Sequence, residues 1–207
     1  MAKFSISISK PFGPALGYTK IPDDLLEKIN DFIDVATTTG YADDLDHGKK
    51  LAGQVTQEIK LPSKIINDGL VNFFGALTKG YIKSILNKEI SKFELLSTWV
   101  VRQFGGEYNP PHLHNGHISG VGYLKLPKSV GTTIQHSKQK NTHGEINFMH
   151  GSEQFLSNGL RTEKPKVGDF FVFPNYLYHF VNPFYGDGER RSISFNAVVD
   201  ENIVNNN

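Results

Sequence analysis

The stretch Asn109-Pro-Pro-His112-Leu-His114-Asn-Gly-His117-Ile-Ser-Gly-Val-Gly-Tyr123-Leu124 decides how the rest of this 207-residue chain is read. His112 and His114 stand two apart, so an extended backbone sends both imidazoles from one face of a strand, where they can share a metal ion. A metal held by side chains needs a third ligand and an open position for chemistry. The segment Phe173-Pro-Asn-Tyr-Leu-Tyr-His179-Phe-Val offers that third ligand, His179.

Outward from this stretch the texture is β. From residue 93 onward, short runs rich in β-branched and aromatic residues alternate with Gly, Pro and Asn, and predict strands over 95–104, 118–126, 132–135, 145–149, 170–173, 178–181 and 191–199. Before residue 93 the pattern is mixed. Phe4, Ile6 and Ile8 alternate with serines over 3–9, which predicts a half-buried strand. Leu25, Leu26, Ile29, Phe32, Ile33 and Ala36 predict an amphipathic helix over 22–37, opened by a capping box at Asp24 and Glu27. A second helix from residue 62 carries Ile66, Leu70, Phe73, Leu77, Tyr81 and Ile85 on one stripe, with Gly69, Gly75 and Gly80 weakening it or admitting close packing. The expected fold is mainly β (α+β), a β-sandwich or jelly roll with a helical layer on one face. The length predicts one domain over 1–207, with a strand and supporting helices in 1–92 and the β core in 93–200.

Composition removes several function classes. There are 22 basic and 21 acidic residues, a formal charge of +1, so nothing draws the chain as a whole to nucleic acid. No run of eighteen apolar residues predicts a membrane span, and the alternating start does not read as a signal peptide. The expectation is a soluble, cytoplasmic protein. With no cysteine, disulfides and thiol nucleophiles are excluded, and any metal falls to His, Asp or Glu. Asp43-Asp-Leu-Asp46-His-Gly48 superficially matches a calcium loop, but the third and fifth ligand positions would be Leu45 and His47, so it reads as a solvated loop.

Order and spacing sharpen the histidine reading: His112-x-His114, then Ser119-Gly-Val-Gly-Tyr123, then Gly168-Asp169 and Phe173-Pro174, then His179, then Arg190-Arg-Ser192-Ile-Ser194-Phe-Asn196. In this order the elements resemble the Fe(II)/2-oxoglutarate-dependent oxygenases, and within them the branch found in phages and marine bacteria. The resemblance covers residues 93–200. It implies a double-stranded β-helix of jelly-roll or cupin type, Fe(II) as metal, and 2-oxoglutarate and dioxygen as cosubstrates. It also implies oxidative decarboxylation to succinate coupled to hydroxylation of a second substrate, in the host cytoplasm if the gene is carried by a phage. By the same resemblance His112 and His179 are iron ligands and His114 takes the position usually held by a carboxylate. Tyr123 and Arg190 fall where related prolyl hydroxylases hold the 2-oxoglutarate tail.

A three-histidine site is one negative charge short of the two-histidine, one-carboxylate triad. If His114 is not a ligand, Glu145 or His117 is next in line. Strand alternation separates the two arginines: Arg190, Ser192, Ser194 and Asn196 share a polar face, while Arg191, Ile193 and Phe195 share an apolar one. Arg190 is therefore expected to clamp the far carboxylate, with Ser192 adding a hydrogen bond and Arg191 the alternative should the register slip.

Plainer readings apply elsewhere. His117, His136, His143 and His150 read as surface or loop residues, Trp99 and Phe104 as core, and Asp169 as a turn former with Gly168. The polar insert 128–141 has the length of a lid over the site. The Asn-rich end, 202–207, reads as frayed. The rival reading is a cupin-type barrel acting as an isomerase, lyase or sugar-binding module, or a barrel with a dead site. It differs in whether Arg190 faces the metal pocket. The prime substrate stays open among protein side chains, small metabolites and nucleobases.

Overall fold

The computed structural model describes residues 5–11 and 13–204. In chain order the strands are β1 (Ser7–Ser9), β2 (Leu16–Lys20), β3 (Gln57–Lys60), β4 (Phe93–Gln103), β5 (Asn109–His112), β6 (Ile118–Lys125), β7 (Ile146–Met149), β8 (Leu160–Glu163), β9 (Asp169–Pro174), β10 (Tyr178–Val181) and β11 (Arg190–Val199). They form a seven-stranded sheet in the order β1-β2-β9-β6-β11-β4-β3 and a four-stranded sheet in the order β5-β10-β7-β8, antiparallel throughout. Together they make a double-stranded β-helix. No helix among the described residues is long and apolar enough to cross a membrane.

The large sheet has two unlike faces because its strands alternate. Ile193 pairs with Val100 on one side and Gly122 on the other, and this row joins Phe170, Phe195 and Val172 under the helices Asp23–Thr39 and Val71–Leu86. Ile29, Ile33, Phe74 and Leu77 are almost wholly buried against it. Two glycines make room for the aromatic rings: a Cβ on Gly122 would lie 2.3 Å from the Phe170 ring, and one on Gly120 2.5 Å from Phe195. Phe195 in turn stacks on Phe74 at 4.4 Å. Gly122→Ala is therefore expected to cost about 1–3 kcal/mol by overpacking, read as a lower urea midpoint.

The same layer holds Arg191. Its guanidinium, 1 % exposed, bonds Glu189 through Nε and Nη2, Asp34 through Nη2 at 2.6 Å and Asn30 through Nη1. Burial works to raise the Glu189 carboxyl, but hydrogen bonds from Arg191 and Arg102 outweigh it and hold the group below its usual range.

Several expectations are corrected. The first helix starts at Asp23 behind Pro22, with no side-chain cap bond, so the Asp24–Glu27 capping box does not form. The second helical region is broken: Ser63–Ile65 leads into a kink at Asp68 and Gly69, where φ of 105° at Gly69 ends the first piece before Val71–Leu86 begins. A side chain at Gly69 would also strike Leu25, whose Cδ2 lies 2.8 Å from the ideal Cβ position. Residues 132–135 form no strand, and β2, β3, β5 and β8 were not foreseen. In the 43–48 stretch a short helix, Tyr41–Asp44, is followed by a bridge from Asp46 to Ile59 in place of a solvated loop. Of the predicted strand 3–9 the residues Ser7–Ser9 are strand, and Phe4 lies outside the described residues. At the other end Glu201–Val204 is helical, and residues 205–207 lie outside the described part.

Candidate metal and cosubstrate site

The opposite face of the large sheet looks at the small sheet, and between them lies a cavity of about 240 Å³. His179 on β10 pairs directly with His112 on β5, which puts the two imidazoles side by side with ring centroids 4.3 Å apart. His114 joins them from beyond the end of β5. Strand periodicity does not align it; Asn175 does, accepting from the His114 N–H at 3.1 Å and donating through its amide to the His114 carbonyl at 3.1 Å. One ligand atom from each of the three histidines lies within 4.8 Å of the others.

Hydrogen bonds set the rings for ligation. Nδ1 of His112 lies 2.7 Å from the Pro110 carbonyl and Nδ1 of His179 3.0 Å from that of Leu177. A carbonyl only accepts, so each Nδ1 carries the proton and each Nε2 keeps a free lone pair. The Nε2 atoms of His112 and His114 are 3.1 Å apart, close enough for His114 to donate to His112 in the metal-free protein, and His114 Nδ1 is buried without a partner. Burial lowers all three pKa values: His112 is lowered, His114 is pushed down to about 3 with His112 adding to the effect, and His179 lies well below its ordinary value. Neutral imidazole is the form that binds a metal, so the donor set fits a divalent ion such as Fe(II).

Arg190 stands on the cavity face of β11. Its Nη1 donates to Gln103, its guanidinium carbon lies 4.8 Å from the centre of the Tyr123 ring, and its Nε and Nη2 are buried without a partner. The Tyr123 hydroxyl is also buried and unpartnered; burial raises its pKa, and the Arg190 charge acts the other way. Unmet buried donors are costly, and these three cluster where an anion with several acceptor oxygens satisfies them together. Ser192, Ser194 and Asn196 line the same cavity, whereas Arg191 is on the far side of the sheet.

The remaining candidates fall elsewhere. Glu145 and His117 are outside the histidine cluster, and His117 accepts a hydrogen bond from the Val199 N–H. His136 and His150 are exposed, and His143 packs edge-on against Tyr185. Asp169 accepts from the Lys166 N–H in the turn beside Gly168, and also from Tyr18 and Lys20. Two expectations change. Trp99 is buried, as its core reading expected, but also forms a cavity wall with its ring edge-on to His114 at 5.7 Å, while Phe104 is half-buried under the Arg102 guanidinium. None of 128–141 lines the cavity: the insert is tied to the 183–186 turn, where Tyr185 N–H bonds the Val130 carbonyl. The mouth is formed instead by Lys50, Leu51, Ala52, Leu113 and Asn115, with Glu58 and Asn109 inside it.

The double-stranded β-helix thus gathers three histidines able to hold a metal ion beside a buried arginine with two unpartnered donors. Residues 97–196, just under half of the chain, match the family described as "Putative 2OG-Fe(II) oxygenase". No curated protein matches the chain. Among solved structures, similar folds include a prolyl-4-hydroxylase from Pseudomonas putida (17% identity, 87% of this chain and 91% of that one covered, TM-score 0.58). A second is a prolyl hydroxylase from Trichoplax adhaerens in complex with a hypoxia inducible factor peptide (12%, 91% and 84%, TM-score 0.59). A third is the viral collagen prolyl hydroxylase of Paramecium bursaria Chlorella virus-1 in its 2OG complex (18%, 87% and 94%, TM-score 0.53).

Proposed function

We propose that this chain is a catalytically competent 2OG-Fe(II) oxygenase, with His112, His114 and His179 as the whole protein ligand set and Arg190, Tyr123 and Ser192 as the seat of the far carboxylate of 2-oxoglutarate. The observation that carries the reading is the pairing, in one cavity, of three neutral imidazoles with Arg190, whose Nε and Nη2 are buried without acceptors, the unpartnered Tyr123 hydroxyl lying beside it. His112, His114 and His179 would hold the ion, and being only three they would leave room on it for the cosubstrate and dioxygen. When bound, Fe(II) supplies the oxygen chemistry that converts 2-oxoglutarate to succinate and hydroxylates a C–H bond of the prime substrate.

The chain's own share is orientation. Arg190 and Tyr123 fix one end of the cosubstrate and the histidine cluster the other, so it binds in a single direction. Val121, Ile146 and Val181 line the cavity between them and keep water away from the reacting end. Purified protein given Fe(II), ascorbate, oxygen and 2-oxoglutarate is expected to form succinate slowly without a prime substrate. Iron and 2-oxoglutarate bound together with no succinate, across a panel of candidate substrates, would show a dead barrel instead.

A further inference from the structure

The unmet donors at Arg190 and Tyr123 account for one part of the cavity. A second set of unmet groups has the opposite sign. Glu58, on the edge strand β3, is 2 % exposed, and its Oε2 is buried with no hydrogen-bond partner. Asn109, reaching the same cavity from β5, has an equally buried and unpartnered Oδ1. Register aims Glu58 inward. Glu58 pairs with Val101, Val101 with Ser192 and Ser192 with Tyr123, so the four side chains form one row on the cavity face. At ~4.8 Å per strand, Glu58 stands about 10 Å across the sheet from Ser192, on the side of the mouth.

The surroundings hold the carboxylate in place without satisfying it. The 48–56 segment wraps closely around it, with the ideal Cβ of Gly53 only 2.9 Å from Glu58 Oε1. That segment is pinned by two backbone bonds between Gln54 and Tyr108 and by the Glu107 carboxylate, which accepts from the Thr56 N–H at 3.0 Å. Among the described residues no cation pairs with Glu58, and Lys50 at the mouth is exposed. Burial, with the Asp46 charge adding to it, pushes the Glu58 carboxyl up to about 7. Glu189, by contrast, is a buried carboxylate answered by two arginines, Arg191 and Arg102. Trp99 adds an aromatic wall to the same cavity, a surface that favours a cation.

We propose that Glu58, with Asn109, receives a protonated amino or guanidino group of the prime substrate, so that the substrate enters the cavity cation first past Lys50–Ala52. The claim rests on the oxygenase reading only in calling this guest a substrate. The unmet groups on this side are acceptors, Glu58 Oε2 and Asn109 Oδ1, and those on the other are the donors of Arg190 and Tyr123, which favours one placement of the two ligands. The substrate class is then amines and guanidines, free or as lysine and arginine side chains.

The test uses the protein loaded with Mn(II) and 2-oxoglutarate without oxygen at pH 8. Trp99 is the single tryptophan and lines the cavity, so its fluorescence reports each binding step, with calorimetry as a check. The probes are the Nα-acetyl methylamides of lysine and arginine, against those of norleucine and citrulline. At least one cationic probe is expected to bind about tenfold or more tightly than its neutral counterpart, and Glu58→Gln to remove that preference, as loss of a charged hydrogen bond does. The variant should bind Mn(II) and 2-oxoglutarate as before and unfold at an equal or higher temperature, since an unsatisfied buried charge is gone. Equal affinity for charged and neutral probes, no binding of either, or a Glu58→Gln protein that loses stability but keeps the preference overturns the inference. Failure of Mn(II) or 2-oxoglutarate to bind at all counts against the oxygenase reading instead, and cation preference is then scored on the free protein.

Discussion

Arg190→Met is expected to weaken 2-oxoglutarate binding by about 2–5 kcal/mol, roughly thirtyfold to several-thousandfold, while the metal affinity stays within about twofold. The guanidinium is almost fully buried, spends one N–H on Gln103 and leaves Nε and Nη2 without acceptors. A carboxylate placed there gains a bidentate charged partner that no other residue of the cavity duplicates. Without it the Tyr123 hydroxyl and Ser192 remain, both neutral. None of the three histidines bonds Arg190, so the metal sites lose nothing. Anaerobic calorimetry of 2-oxoglutarate into Mn(II)-loaded protein decides it: an unchanged dissociation constant would falsify the assignment. Arg191→Met is the control with the opposite signature. It removes two hydrogen bonds from Glu189, which keeps Arg102 and Lys125, and those to Asp34 and Asn30, so it lowers folding stability, with cosubstrate affinity unaffected in the protein that remains folded.

That the two arginines were separable from the sequence follows from the alternation in β11. Polar and apolar residues alternate from Ser192 to Ala197, and the two register shifts place the extra residue in β6 and β4, not in β11, so Arg190 with Ser192 and Asn196 shares a face. The same rule, pushed onto Trp99, would have found it too: it shares parity with Ser97, Val101 and Gln103 on β4, and its size alone suggested the core. His114 came out beside His112 for a reason the spacing did not contain. β5 ends at His112, and a tertiary bond to Asn175 does the aligning.

Glu58 was invisible because β3 is four residues, Gln-Glu-Ile-Lys, too short and polar to show a period. Its orientation is inherited from β4. Residues 132–135 failed the other way, since a β-branched run follows Gly131 but no strand is within reach to pair with it. The helix break at Gly69 is likewise tertiary: the stripe reads through it, while contact with Leu25 and the positive φ do not.

The largest effect is expected from His179→Ala, which should reduce succinate formation to the level of a metal-free control. Of the three imidazoles this one is the most buried, at 4 % exposed, and is flanked by both others at 4.3 and 4.7 Å. Phe173 and Phe148 pack against it, so among the described residues immediately around it there is no other ligating side chain besides His112 and His114. With His112 and His114 alone the ion keeps two protein ligands, and since loss of a mere supporting partner already costs ~10- to 100-fold in affinity, loss of a ligand costs at least tenfold. A readout free of turnover is thermal stabilisation by the metal. At a hundredfold excess over its dissociation constant, an ion that binds only the folded chain contributes about 2.7 kcal/mol, which raises the unfolding temperature of a chain this size by roughly 5–11 °C. Wild-type protein should show that shift with Fe(II), Mn(II) or Zn(II), and each of His112→Ala, His114→Ala and His179→Ala should show a clearly smaller one, measured against its own metal-free form. A full shift in the His114→Ala protein alone would leave a two-histidine site and remove that residue from the ligand set. A full shift in all three would place the metal somewhere other than this cavity.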